Sequence, residues 1–211
     1  MRKPLFVTFE GIDGCGKSTQ IVLLQRFLKK HGIDALALRD PGSTSVSEAV
    51  RAVLLGKRFA IDPQTELLLY EAARAQLVQE IIRPALAQGR VVLCDRFYDS
   101  TTAYQGYGRG IDPEIIAAAN RLGSCGLTPQ LTILLDLDPE TAADRRQPLH
   151  FEDRIEAEGL EFQRRVRRGF LEICAAEPER VRLVKGQRPI PVIQQEIQTL
   201  FMELWEKTPG E

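Results

Sequence analysis

Gly11-Ile12-Asp13-Gly14-Cys15-Gly16-Lys17-Ser18-Thr19 fulfils the pattern G-x-x-x-x-G-K-[ST], and the rest of the chain reads outward from it. Before it runs Leu5-Phe6-Val7-Thr8-Phe9-Glu10, a β-branched and aromatic run with the character of a buried strand. After it Ile21, Leu24, Leu28 and their neighbours recur at helical spacing. A motif that joins strand to helix in this way is a phosphate loop. Glycines at 11, 14 and 16 allow backbone conformations that a side chain forbids, so that N–H groups turn inward toward phosphate oxygens. The helix N-terminus adds partial positive charge. In such a loop Lys17 reaches the β- and γ-phosphates, the Ser18 hydroxyl ligates Mg²⁺, and Thr19 starts the helix.

The chain of 211 residues is long enough for one well-cored domain. A formal net charge of −1 gives no overall basic character, so nothing points to nucleic acid. Cys15, Cys94, Cys125 and Cys174 form no C-x-x-C pair, and the two histidines, His31 and His150, have no partner pattern. Histidine-based nucleophilic or metal chemistry is therefore not expected, and the cysteines read as reduced small hydrophobes. No apolar run approaches the ~20 residues of a membrane span. The phosphate loop begins before a signal-peptide core could fit. The expectation is a cytoplasmic protein.

Strands alternate with helices. Strands are expected at Ile33 to Arg39, Arg90 to Cys94 with Asp95 at its end, Leu131 to Leu137, and Val181 to Val184. Helices are expected over Ser47 to Leu55, Thr65 to Leu86 with a kink or stop near Pro84, 99–105, 113–122, 140–146, 156–176, and Ile193 to Lys207. Asp62-Pro63, Asp112-Pro113 and Asp138-Pro139 each read as an N-cap with proline in the first turn. The pattern predicts an α/β fold with a five-stranded parallel sheet flanked by helices on both faces. Ligands in such sheets lie beyond the carboxyl ends of the strands. That rule gathers the loop, Arg39 and Asp40, Asp95 and Arg96, and Asp138.

A phosphate loop alone says NTPase or kinase. The N-K-x-D and D-x-x-G motifs of GTPases are absent from the sequence. Asp13 within the loop, Asp95 as a carboxylate for Mg²⁺ or its waters, and Arg39 and Arg96 as clamps for a second phosphate fit phosphoryl transfer. Each arginine alone could equally be a surface ion pair.

The chain also resembles the thymidylate kinases over nearly its whole length. Phe9-Glu10-Gly11-Ile12-Asp13-Gly14 resembles the family's F-E-G-x-D-G, and Leu38-Arg39-Asp40-Pro41-Gly42-Ser43-Thr44 its T-R-E-P-G-G-T. Asp95-Arg96-Phe97 resembles D-R-[YFH]. Ser100-Thr101-Thr102-Ala103-Tyr104-Gln105-Gly106 leading to Gly108-Arg109-Gly110 resembles S-x-x-A-Y-Q-G-x-G-R-G. Asp153-Arg154-Ile155-Glu156 resembles the bacterial lid sequence D-R-I-E. The resemblance implies a P-loop NTPase fold, a single domain over 1–211 with a small mobile lid at about 144–158, and transfer of the γ-phosphoryl group of ATP to dTMP with Mg²⁺. It implies a homodimer, while the net charge and the lack of a long apolar run leave neither nucleic acid nor membrane as an expected partner.

By the same resemblance, Gly11 through Thr19 bind ATP. Arg96 and Arg39 hold the dTMP phosphate, and Asp13 approaches the sugar 3′-hydroxyl and acceptor phosphate. Tyr70 stacks on thymine, and Arg74, one turn later on the same face, bonds its O4. Packing alone would account for Tyr70 in Leu67-Leu68-Leu69-Tyr70. Thr101 and Gln105 border the base, and Tyr104 lies against the sugar, where its ring excludes a 2′-hydroxyl. Gly14 stands where some members, many of them eukaryotic, carry a loop arginine. The charge over the transferring group then falls to Arg145, Arg146 or Arg154, as in the bacterial arrangement, with Gln147-Pro148-Leu149-His150 as a hinge. Arg164, Arg165, Arg167 and Arg168 read as a solvated, salt-bridged helix face. The chain departs from the family at Asp40, where glutamate is usual and the shorter side chain reaches less far toward phosphate or metal. It departs also at Ser43 for glycine, and at Gln147 and Leu149 for arginines. Two rival readings remain: a kinase for another deoxynucleotide or a deoxynucleoside, and a nucleotide-binding module without turnover.

Overall fold

Short β-branched runs form the strands β1 (Phe6–Glu10), β2 (Ala35–Arg39), β3 (Val91–Asp95), β4 (Leu131–Asp136) and β5 (Val181–Lys185). They pair in parallel in the order β2-β3-β1-β4-β5. The computed structural model describes residues 4–145 and 154–208. The register places Phe9 beside Asp95 and Arg39 beside Asp95, so β1, β2 and β3 end level with one another.

Alternation along β1 divides the core. Val7 and Phe9 pack with Leu24 and Leu28 of α1 (Lys17–Lys30) and with Ile197 and Phe201 of α9 (Ile190–Lys207). Phe6 faces the other way, toward Leu77, Val78, Ile82 and Phe97. Both faces are covered, as a parallel sheet requires.

The expected helix starts are present with their reasons. The Asp62 carboxylate accepts from Gln64 N–H at the head of α3 (Pro63–Leu77), and Asp112 accepts from Glu114 N–H at the head of α6 (Pro113–Gly123). Asp138 accepts from Thr141 N–H above α7 (Pro139–Arg145). Helix α2 (Ser45–Leu55) begins earlier than expected because Thr44 Oγ1 caps Ser47 N–H at 3.0 Å. Helix α9 begins at Ile190, ahead of the expected Ile193, because Pro191 falls in its first turn, where a missing N–H costs nothing.

Pro84 does not stop its helix. The chain leaves α3 through a π-helical turn, Val78–Ile82, and resumes as α4 (Arg83–Ala87) with Pro84 in the opening turn. The wider turn precedes the ring that would break regular i→i−4 bonding. A second π-helical turn, Thr102–Gly108, continues α5 (Tyr98–Thr101) and carries Tyr104 and Gln105. Gly108 brings it against α8 (Gly159–Ala176): a Cβ there would come within 2.7 Å of the Phe162 ring.

Candidate active site

The phosphate loop lies between β1 and α1 and is held by close backbone contacts. Gly11 has φ 130°, and a Cβ on it would stand 2.4 Å from the Leu135 carbonyl oxygen. Gly14 has φ 86°, and its Cβ would meet the Ala142 carbonyl at 2.5 Å. An arginine at this position would have to displace α7, which is a steric reason for glycine here. Lys17 is buried and turned back on the loop, donating to Gly11 O at 3.0 Å and Ile12 O at 3.1 Å. Ser18 Oγ donates to Asp95 Oδ2 at 2.8 Å, while Asp95 Oδ1 is buried and has no partner. Thr19 is exposed in the first turn of α1. Cys15 is buried beneath Lys17, and that burial pushes its thiol pKa up, away from reactivity.

Beside the loop a cavity of about 510 Å³, open mouth included, is enclosed by the turns after β2 and β3, by α2 and α3, and by the second π turn. Asp13, Tyr70, Arg74, Arg96, Thr101, Tyr104 and Gln105 all line it. Arg96 adopts φ 71°, a left-handed conformation costly for a residue with a Cβ. Three side chains fix its guanidinium: Asp13 Oδ1 at 2.7 Å, Ser100 Oγ at 3.1 Å and the Tyr104 hydroxyl at 3.1 Å. The guanidinium also lies 4.9 Å from the centre of the Tyr104 ring. Burial alone would lower its pKa; Asp13, with Tyr104, Asp95 and Glu10, outweighs burial and keeps it charged. Beneath the turn, Glu10 accepts from Phe97 N–H at 2.7 Å and from Ser100 Oγ at 2.5 Å. Burial, then the nearby Asp99, pushes Glu10 up to about 8 despite Arg96 and these two bonds.

Tyr70 and Arg74 do face one way, into the cavity. Arg74 is 1 % exposed and anchored behind by Asp40 Oδ2 at 2.6 Å and by Glu71. Burial would lower its pKa, but the two carboxylates raise it. The short side chain of Asp40 pairs with Arg74 through Oδ2, while its Oδ1 is buried without a partner at the cavity wall. Thr101 Oγ1 donates to Glu71 Oε1 at 2.9 Å, and Gln105 Nε2 donates to Glu66 Oε1 at 2.8 Å.

Arg39 stands apart from this group. Its side chain is 54 % exposed and paired with Glu48, which also accepts from Ser43 N–H. The arginine that lines the cavity from this side is Arg51 of α2, whose Nη1 donates to Pro41 O at 3.0 Å. Sequence reading missed Arg51 and also Glu66. For Glu66 a signal existed: Glu66, Tyr70 and Arg74 recur every four residues along one face of α3.

The family model for thymidylate kinase matches residues 9–197. The chain belongs to the thymidylate kinase family. It is 50 % identical over 208 residues to the thymidylate kinase of Pelodictyon phaeoclathratiforme, covering 94 % of this chain and 96 % of that one. Against that of Caldanaerobacter subterraneus the identity is 48 % over 185 residues, covering 88 % of each. The crystal structure of thymidylate kinase from Ehrlichia chaffeensis superposes with a TM-score of 0.78 at 34 % identity, covering 94 % of this chain and 98 % of that one. The P-loop NTPase fold expected from the motifs is the fold observed.

Within this thymidylate kinase fold the arginines expected of a lid lie at two different places. Arg145, at the end of α7, donates to Gly186 O at 2.9 Å. Gly186 abuts the loop, since a Cβ on it would lie 3.5 Å from Cys15 O. Arg154 sits on the acceptor side, with Nε on Leu54 O at 2.9 Å and an ion pair to Glu66 at 2.6 Å. Arg146, the hinge Gln147 to His150, and Asp153 lie outside the described residues. Of the α8 arginines, Arg164 pairs with Glu140 and Glu161, Arg167 with Asp136 and Arg168 with Glu172. Arg165 departs from that pattern by donating to Gly108 O.

Proposed function

We propose that the protein transfers the γ-phosphoryl group of ATP to dTMP, giving ADP and dTDP, a step toward dTTP for DNA. The observation that carries this reading is the position of Asp13. It bonds Arg96 at 2.7 Å on the cavity side and stands 3.9 Å from Lys17 on the loop side. One carboxylate thus bridges two cationic centres, one suited to each phosphate, and a nucleotide-binding switch has no use for the second.

In this reading the loop N–H groups of Gly11 to Thr19 and Lys17 hold the ATP phosphates. Arg96 takes the acceptor phosphate, with Arg51 beside it, while Arg39 braces the turn through Glu48. Asp13 keeps the two arrays in register near the sugar 3′-hydroxyl. Tyr70 offers its ring to the base, Arg74 donates to O4, and Thr101 and Gln105 close the edge of the base. Tyr104 packs on the sugar, leaving no room for a 2′-hydroxyl. The acceptor phosphate is already ionised, so positioning and charge neutralisation suffice, without a general base. Arg145, on the loop side, is assigned to the transferring group, and Arg154 to closing the acceptor side.

Mg²⁺ fits the mouth of the loop. Ser18 and Asp95 offer oxygen donors, one of them the buried, unpartnered Oδ1. When bound, the ion neutralises charge on the β- and γ-phosphate oxygens. Among the described residues no three His, Cys, Asp or Glu side chains converge, so nucleotide oxygens and water would complete its coordination.

Residues 1–211 are taken as one kinase domain with its lid at 144–158, and the working form as a cytoplasmic homodimer. The dimer is supported by Val46 and Val53 on α2, Leu68 on α3, and Ile115 and Leu122 on α6, large apolar side chains exposed on helices that pack side by side. Among the described residues no helix is long and apolar enough to cross a membrane.

The test is ADP release with ATP and Mg²⁺ against dTMP, dUMP, dCMP, the ribose form of TMP, and thymidine. A clear preference for dTMP supports the reading. Turnover of thymidine itself would move the acceptor to a nucleoside, and binding of ATP with no turnover on any acceptor would leave a binding module.

A further inference from the structure

We propose that Glu66 sets the base specificity of this kinase by fixing which end of the Gln105 amide faces the acceptor cavity. The proposal rests on the assignment of thymine to that cavity. An ionised carboxylate accepts hydrogen bonds and cannot donate them. The Gln105 end that meets Glu66 Oε1 at 2.8 Å must therefore be the NH₂. Its carbonyl oxygen has no protein partner among the described residues, and Gln105 lines the cavity. The amide thus presents an acceptor to the base.

Glu66 is well placed to hold this arrangement. It is buried, and two arginines bring it charge: Arg109 through Nε and Nη2, each at 3.1 Å, and Arg154 at 2.6 Å. Burial alone would raise its pKa, but the bonds from Arg109, Gln105 and Arg154 hold it below the usual carboxylate value, so it stays ionised and acceptor-only. Arg74 is a donor by its nature and is clamped by Asp40 and Glu71. The wall therefore offers one acceptor and one donor. Thymine, with its N3–H donor and O4 acceptor, matches both. Cytosine, with a bare N3 and an amino group at C4, meets lone pair against lone pair and donor against donor. A site whose buried groups are left unpaired rejects the wrong ligand strongly.

The experiment compares kcat/KM for dTMP and dCMP in the full-length protein and in Glu66→Gln. A glutamine can donate or accept, so it frees the Gln105 amide to turn. The dTMP/dCMP ratio is expected to fall by about tenfold or more. Arg109→Met leaves Arg154 to keep Glu66 ionised and Gln105 on the same carboxylate, and is expected to keep the ratio within about twofold. Folded Glu66→Gln that loses both activities in proportion overturns the proposal. Should Glu66→Gln not fold, nitrogen-15 NMR of the wild-type protein decides. Without nucleotide, the Gln105 NH₂ is expected to exchange its protons with water slowly, because the Glu66 carboxylate holds them; exchange as fast as that of an exposed glutamine overturns it. A wild-type enzyme without preference for dTMP sinks the acceptor assignment, and this proposal with it, before any variant is made.

Discussion

In the proposed reading the loop at 11–19 meets its ligand largely with main chain, whereas the cavity beside it meets its ligand with side chains drawn from several elements. In the loop Gly14, Gly16, Ser18 and Thr19 are exposed, and the buried Lys17 is tied to carbonyl groups of its own turn. In the cavity the working groups are backed by buried carboxylates: Glu66 behind Gln105, Glu71 behind Thr101 and Arg74, Glu10 behind Ser100. The loop suits a phosphate chain common to every nucleotide. The proposed cavity would suit one base and one sugar, because side chains held in fixed roles can discriminate where backbone N–H groups cannot.

This contrast can be broken by mutation, most sharply at its two cations. Lys17→Ala is expected to lower kcat by about 10³-fold with every acceptor alike, without loss of folding. Steady-state rates on two acceptors check it, and a defect confined to dTMP would deny the loop its general role. Arg96→Ala is expected to lower kcat/KM for dTMP by about 10²-fold while the KM for ATP holds. An equal defect in ATP binding would merge the two sites. Next comes a pair: Arg51→Ala is expected to raise the KM for dTMP by about tenfold, and Arg39→Ala by less than about threefold, since Arg39 is exposed and its ion pair with Glu48 is worth little. The reverse order would return the phosphate to Arg39.

The smallest expected effect concerns Glu10. Its folded pKa, about 8, lies above the ordinary 4.5, so between those values the folded state binds the extra proton. Its contribution is thus fully present below pH 4.5 and is lost as pH rises through about 8. Glu10→Gln should flatten that decline, which shows as a smaller difference in Tm between the two ends of the window. Parallel melting curves for the two proteins would show that Glu10 is not the group responsible.

Much of the fold was legible because its signals are local. Period and apolar runs placed the strands, and Asp-Pro pairs placed helix starts where the carboxylates do accept the N–H bonds. The π turn before Pro84 was not legible, because accommodation of a proline depends on what the neighbouring turn can yield. The loop was legible for the reason that makes it general: its chemistry lies in contiguous backbone. The cavity yielded Tyr70, Arg74, Tyr104 and Gln105 only through family resemblance. Arg51 and Glu66 were missed because each acts across the fold, Arg51 on the Pro41 carbonyl and Glu66 on the π turn. Arg39 was taken for a phosphate clamp because the sequence does not show which way the end of β2 presents its side chains.

Lys17 invites a description from ion exchange. Its ammonium rests on the Gly11 and Ile12 carbonyl oxygens much as a bare monovalent cation would, and so serves as the loop's own tethered cation. In the proposed reading, a triphosphate arriving here meets an ammonium that already donates to two carbonyl groups. It competes with two carbonyl dipoles for a cation already coordinated. Affinity then follows the difference between two coordination shells, and a mutation that disturbs those carbonyls would alter nucleotide binding without touching any group the nucleotide contacts.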